Sequence, residues 1–221
     1  CYGERFVKTV NLKILIIMSC LIILATLSIF GQKEFSPKTN KKPLQDFVIN
    51  LNQKLDSKEV DLDKPFSVTL EGYLTKEGRF DTQRSKFTKL EGDEKMIAIA
   101  KNAIEVISDS QMFVYLRDLG MEKVTLVLSQ DDKQISFSFN SELPTPEKAK
   151  TISSGFNTLI HLAQLNTKDD IEVQTLLKAM AVRSEGNNFI LNMALPKSEA
   201  HRLLKNELQK QKEKRYSNSG E

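Results

Sequence analysis

The side chains able to do chemistry are few and scattered. There are two histidines, His161 and His201, with no histidine, cysteine or carboxylate placed at i±4 to complete a metal pair. His161 is expected as a boundary or core residue of a helix, and His201 as a surface residue of the last helix. Asp131-Asp132 falls between two alternating segments, where aspartate serves turn geometry. Asp169-Asp170 falls where a helix should start, and an N-terminal carboxylate suits a helix start without any metal. Ser153-Ser154-Gly155 lies inside a helical pattern with no base nearby in sequence. No HExxH, CxxC, GxSxG, GxGxxG or phosphate loop is present. The expectation is a non-enzymatic chain without catalytic residues, metal or cofactor.

A different set of residues points to recognition. Arg79, Arg84, Lys86 and Lys89 punctuate one polar segment, and cations spaced along a strand suit contact with a partner as well as edge protection. They are the candidate partner-binding residues. The two cysteines, Cys1 and Cys20, exclude a disulfide scaffold. The net charge is +3, of which +2 comes from Glu4, Arg5, Lys8 and Lys13, leaving +1 for the rest. So weak a field argues against nucleic acid as partner.

These residues need elements to hold them. Residues Ile14 to Phe30 form a 17-residue run without charge. As a helix it covers roughly 26 Å, close to a bilayer core. The expectation is a tail over 1–13, a single transmembrane helix over 14–31 acting as a signal anchor in contact with lipid, and a linker over 32–42. A cleaved signal peptide ending near Thr26-Leu27-Ser28, or a lipid-modified Cys20, are the alternatives. Ser19, Cys20, Ala25 and Ser28 are the small residues expected to permit close packing of this helix against others. A short tail inside and a C-terminal domain outside is the expected orientation.

Beyond the linker, Leu44, Phe47, Val48, Leu51 and Leu55 predict an amphipathic helix from Pro43. Three hairpin-plus-helix units follow. The first pairs a strand from Phe66 to Leu74 with a polar strand from Arg79 to about Leu90, joined by a turn at Thr75–Gly78. Asp93 then caps a helix carrying Met96, Ile97, Ala100, Ile104 and Ile107, and a short helix from Phe113 ends at Gly120. The second has alternating strands around Leu126 and Phe137. Thr145 is the N-cap and Pro146 the first residue of the following helix, whose apolar positions are Ile152, Phe156, Leu159, Ile160 and Ala163; another helix runs from Asp169 to about Met180. The third turns at Gly186-Asn187 and alternates through Phe189, Leu191 and Met193, before Ser198 caps a last helix. The fold class is α+β: a transmembrane helix, then repeated β-hairpin plus helix units (ββα-ββα-ββα) whose antiparallel sheet is covered by helices. The expected divisions are 43–120, 121–208 and a basic flexible tail over 209–221.

The hairpin FSVTLEGYLTKEGRFD, residues 66–81, followed by a helix with Ala98, Ala100 and Ala103, resembles the C-terminal domain of energy-transducing TonB-family proteins. The resemblance covers about residues 66–110. It implies a bacterial, periplasmic domain that contacts protein partners through an exposed strand. The apolar run has Ser19 and Ser28 but no histidine, so what carries over is the interaction domain rather than proton-driven transduction. The function expected is a single-pass protein of the bacterial inner membrane, with an extracytoplasmic interaction domain. The alternative is an accessory subunit of an integral membrane complex held by its transmembrane helix.

Overall fold

The computed structural model describes residue 40 and residues 42–218, and the expectations placed on 1–39, including the membrane run with Ser19, Cys20, Ala25 and Ser28, lie outside them. No helix among the described residues is long and apolar enough to cross a membrane.

The elements run α1 (Lys42–Asp56), β1 (Phe66–Tyr73), β2 (Lys86–Gly92), α2 (Glu94–Asp109), α3 (Val114–Asp118), β3 (Lys123–Gln130), β4 (Gln134–Glu142), α4 (Pro146–Asn166), α5 (Ile171–Ala179), β5 (Met180–Glu185), β6 (Asn188–Pro196) and α6 (Lys197–Asn218). The fold class is α+β. The six strands form one antiparallel sheet in the order β2-β1-β3-β4-β6-β5. The chain visits hairpin then helix three times, but the hairpins are not set into the sheet as copies. In the first hairpin the second strand is outermost; in the last the first strand is outermost.

Strict alternation decides which way each strand faces, since successive side chains point to opposite sides. Registered rows then build the core. One row runs Leu70, Leu126, Phe139, Leu191 and Val182 across five strands; the next runs Val68, Leu128, Phe137, Met193 and Met180. All of these but the half-buried Met180 are buried. Residues of all six helices join the same hydrophobic cluster, including Leu51 of α1, Ile104 of α2, Leu116 of α3, Phe156 of α4, Leu177 of α5 and Leu203 of α6. Residues 120–122 therefore join α3 to β3 within a continuous sheet, because β3 pairs with β1. The opposite face is mostly polar, with Ser67, Thr69, Glu71, Thr125, Ser129, Ser136, Ser138, Asn140 and Asn192, and Val127 and Ile190 lie among them.

The helix signals are local and sit where the sequence puts them. Asp93 accepts from the backbone N–H groups of Lys95 and Met96. Thr145 accepts from Lys148 with Pro146 in the first turn, and Asp170 caps α5 through Val173. Four expectations need correction. The polar strand begins at Lys86, not Arg79, because Asp81 folds the chain into a turn. Its Oδ1 accepts from Gln83 N and Arg84 N, its carbonyl accepts from Ser85 N, and the segment joins the sheet through the Leu74–Phe80 bridge and a hydrogen bond from Tyr73 N to Ser85 Oγ. The last helix begins at Lys197, so Ser198 lies within its first turn. It continues to Asn218 rather than giving way to a tail at 209, since Lys, Gln and Glu are all good helix formers. Leu159, counted on the apolar face of α4, is 37% exposed.

Candidate functional site

The four partner-binding candidates do not converge into a single constellation. Arg79 is exposed in the turn, where it lines an open cleft of about 560 Å³ with Thr75, Glu77, Phe80, Gln83 and Gln111. Arg84 is engaged within its own turn: its Nε lies 2.7 Å from Asp81 Oδ2 and its guanidinium stands 4.9 Å from the Tyr73 ring centre. That hydrogen bond, with the N–H groups of Gln83 and Arg84, holds the Asp81 carboxyl below its ordinary range. Arg84 therefore acts first as a brace for the turn.

Lys86 and Lys89 stand apart from this group. Both lie on β2, which is the outer strand of the sheet. Lys86 is opposite Glu71 and Lys89 opposite Thr69, so both rise from the polar face away from the helices. Phe87 and Leu90 point the other way, opposite Leu70 and Val68, and Lys101 of α2 sits 4.9 Å over the Phe87 ring. A register shift at Thr69/Leu70 leaves Thr88 as an extra residue, a bulge that bends the strand. Lys89 pairs with Glu91 at 2.9 Å in an exposed setting, a contact too solvated to lock it. The chemistry available here is a ladder of outward backbone groups flanked by two exposed cations.

A second concavity was not legible in the sequence. It has a volume of about 540 Å³ and lies between the end of α1, the 57–65 loop and α6. Leu55, Val60, Leu62 and Leu204 line its floor, while Asp61, Asp63, His201 and Lys205 stand at its rim. The loop is held in place from below, because the buried Gln130 donates from Nε2 to the carbonyls of Leu62 and Lys64. Lys197 donates to the Asp63 carbonyl, and Lys95 to that of Glu59. His201, expected at the surface, is only a quarter exposed. Its Nδ1 is 3.6 Å from Asp63 Oδ1, and its Nε2 is buried without a hydrogen-bond partner. His161, expected at the boundary of the core, is exposed on α4. The two are not brought into a pair. Among the described residues no group of three His, Cys, Asp or Glu side chains is placed to hold a metal ion. The groove pairs an apolar floor with a rim of mixed charge and holds no nucleophile set against a base.

No family model matches the chain, and no curated protein or solved structure does so either.

Proposed function

We propose that this chain is a single-pass, membrane-anchored interaction module of the bacterial envelope, similar in mode to TonB-family domains, which binds a protein partner along the outer edge of β2. The observation that carries the reading is the position of β2. It is the terminal strand beside β1, it is exposed along nearly all its length, and Lys86 and Lys89 rise from its polar face. An extended segment of a partner adds to such an edge through backbone hydrogen bonds, and acidic side chains at alternate positions would meet the two lysines. The apolar run over residues 14–30 supports the anchoring, and the resemblance over residues 66–81 supports the strand-edge mode. Arg79 and Arg84 flank the edge, with Arg84 shaping the turn that delivers the chain into β2.

The test is a photo-activatable residue placed at Thr88 in the full chain, irradiated in intact cells. The expected result is one defined adduct that disappears when Lys86→Glu and Lys89→Glu are combined. An adduct that survives the double reversal would overturn the β2 assignment. Replacing residues 14–30 by leucines separates the alternative, an accessory subunit held by Ser19, Cys20, Ala25 and Ser28. Loss of co-purification with that replacement, while the charge reversals change nothing, would favour the membrane segment as the point of attachment.

A further inference from the structure

We infer that the outer face of α4 is a self-association surface, on which a second copy of this chain packs its own α4 antiparallel about a two-fold axis beside Thr158 and Leu159. The inference is independent of the β2 reading. Among the described residues, five large hydrophobic side chains are exposed, and three of them lie on α4, Leu159 at 37%, Leu162 at 46% and Leu165 at 47%, with Ile171 at 73% following at the start of α5. The buried face of the same helix is complete without them, through Ala149, Ser153, Phe156, Ile160 and Ala163. At 100° per residue, Thr151, Gly155, Thr158 and Leu162 form one stripe, with Leu159 and Leu165 on its two flanks. Gly155 has nothing within 4 Å of where a Cβ would stand, so no contact within the chain requires glycine. A glycine in a helix interior weakens the helix, and its benefit is close approach by another helix.

The stripe is complementary to itself. Small residues occupy its N-terminal half and leucines its C-terminal half, so two antiparallel copies set leucine against small residue twice over. The register that lays Leu162 on Gly155 of the second copy sets Leu159 beside Thr158. The charges agree with this sense. The start of α4 carries Glu147, Lys148 and Lys150, while the stretch after it carries Lys168, Asp169, Asp170 and Glu172. Ends of opposite sign meet only in the antiparallel arrangement, in which the two-fold axis stands perpendicular to the paired helices. An anionic lipid surface would be repelled at the acidic end, which makes a second copy the better occupant. A single helix pair lies at the small end of specific interfaces, below about 1,200 Å², so the dimer should exchange rapidly.

The experiment uses the full chain in mild detergent with Cys1→Ser and Cys20→Ser, so that introduced thiols are alone. T158C lies beside the axis, whereas K150C lies on the same helix but off the stripe. Under mild oxidation T158C should give several-fold more disulfide-linked dimer than K150C. Adding Leu162→Glu should remove that excess, while the melting curve stays in place because Leu162 is half exposed. Equal cross-linking from the two positions, or an excess that survives Leu162→Glu, would overturn the inference. So would a T158C thiol that forms no dimer yet becomes shielded from a water-soluble maleimide only in anionic vesicles, which would assign the face to lipid instead.

Discussion

Substituting two glycines with alanine separates backbone conformation from packing. Gly186 and Gly78 both have positive φ, 54° and 72°, in the left-handed region that suits glycine. Nothing lies within 4 Å of a Cβ built on Gly186. Gly186→Ala should therefore cost only the left-handed backbone, about 1–2 kcal/mol, less a few tenths from the stiffer unfolded chain. At Gly78 the added Cβ would meet the backbone of α3: it stands 2.1 Å from Val114 N, 2.4 Å from Val114 Cα and 2.7 Å from Phe113 C. Neither side can yield by rotating a side chain. The turn must lift off α3 and strain the Phe80–Phe113 ring contact, whose centroids are 4.9 Å apart. Overpacking of this kind adds about 1–3 kcal/mol, and a lost aromatic pair about 1 kcal/mol more. Gly78→Ala should thus cost about 4 kcal/mol against about 1 kcal/mol for Gly186→Ala. At about 2–4 °C per kcal/mol for a domain of this size, the melting temperature should fall by about 10 °C and about 3 °C respectively. Urea titration followed by far-ultraviolet circular dichroism measures both. If Gly78→Ala costs no more than Gly186→Ala, the docking of this turn on α3 is wrong.

Three smaller perturbations test other joints. Asp93→Ala leaves the N–H groups of Lys95 and Met96 uncapped and should destabilise by about 1 kcal/mol, with Asp93→Asn restoring most of it in a thermal melt. Gln130→Ala removes the two hydrogen bonds that hold Leu62 and Lys64, at a cost of about 1–3 kcal/mol. Hydrogen exchange should then accelerate around residues 57–65, and unchanged protection there would refute the pinning. The Asp81 carboxyl, held low chiefly by Arg84, should titrate below a free aspartate in an NMR pH series and move upward in Arg84→Ala. A depressed folded value means that its small contribution to stability is present above the unfolded pKa. That contribution is lost as pH falls through the folded one. An unmoved midpoint in Arg84→Ala would show that the backbone N–H groups alone set it.

Much of the secondary structure was legible because its causes are local. Asp93, Thr145 and Pro146 each act within four residues of where they stand. The β3–β4 hairpin follows from alternation on both sides of Asp131-Asp132. The errors arose where a local pattern had a competitor. Residues 79–85 look as polar as a strand edge, yet Asp81 can satisfy its neighbours' N–H groups by itself, and a turn wins over a ladder. Residues 209–218 look like a charged tail, yet nothing in their composition opposes a helix.

The candidate sites were less legible. That Lys86 and Lys89 lie on an outer strand follows from β1 pairing with β3 on its other side, a contact between residues 50 to 64 positions apart. The groove beside His201 needs the end of α1, a loop held from below by Gln130, and a helix that begins at Lys197. None of those adjacencies leaves a mark at short range. The β3–β4 hairpin, the starts of α2 and α4 and the two-faced character of each strand follow from a few consecutive residues, because periodicity and capping act at short range. Long-range packing settles that the three hairpins merge into one sheet, which strands end it, and which leucines of α4 stay outside. Those outcomes depend on how the apolar rows of distant strands align, and on which helix faces remain once the core is filled.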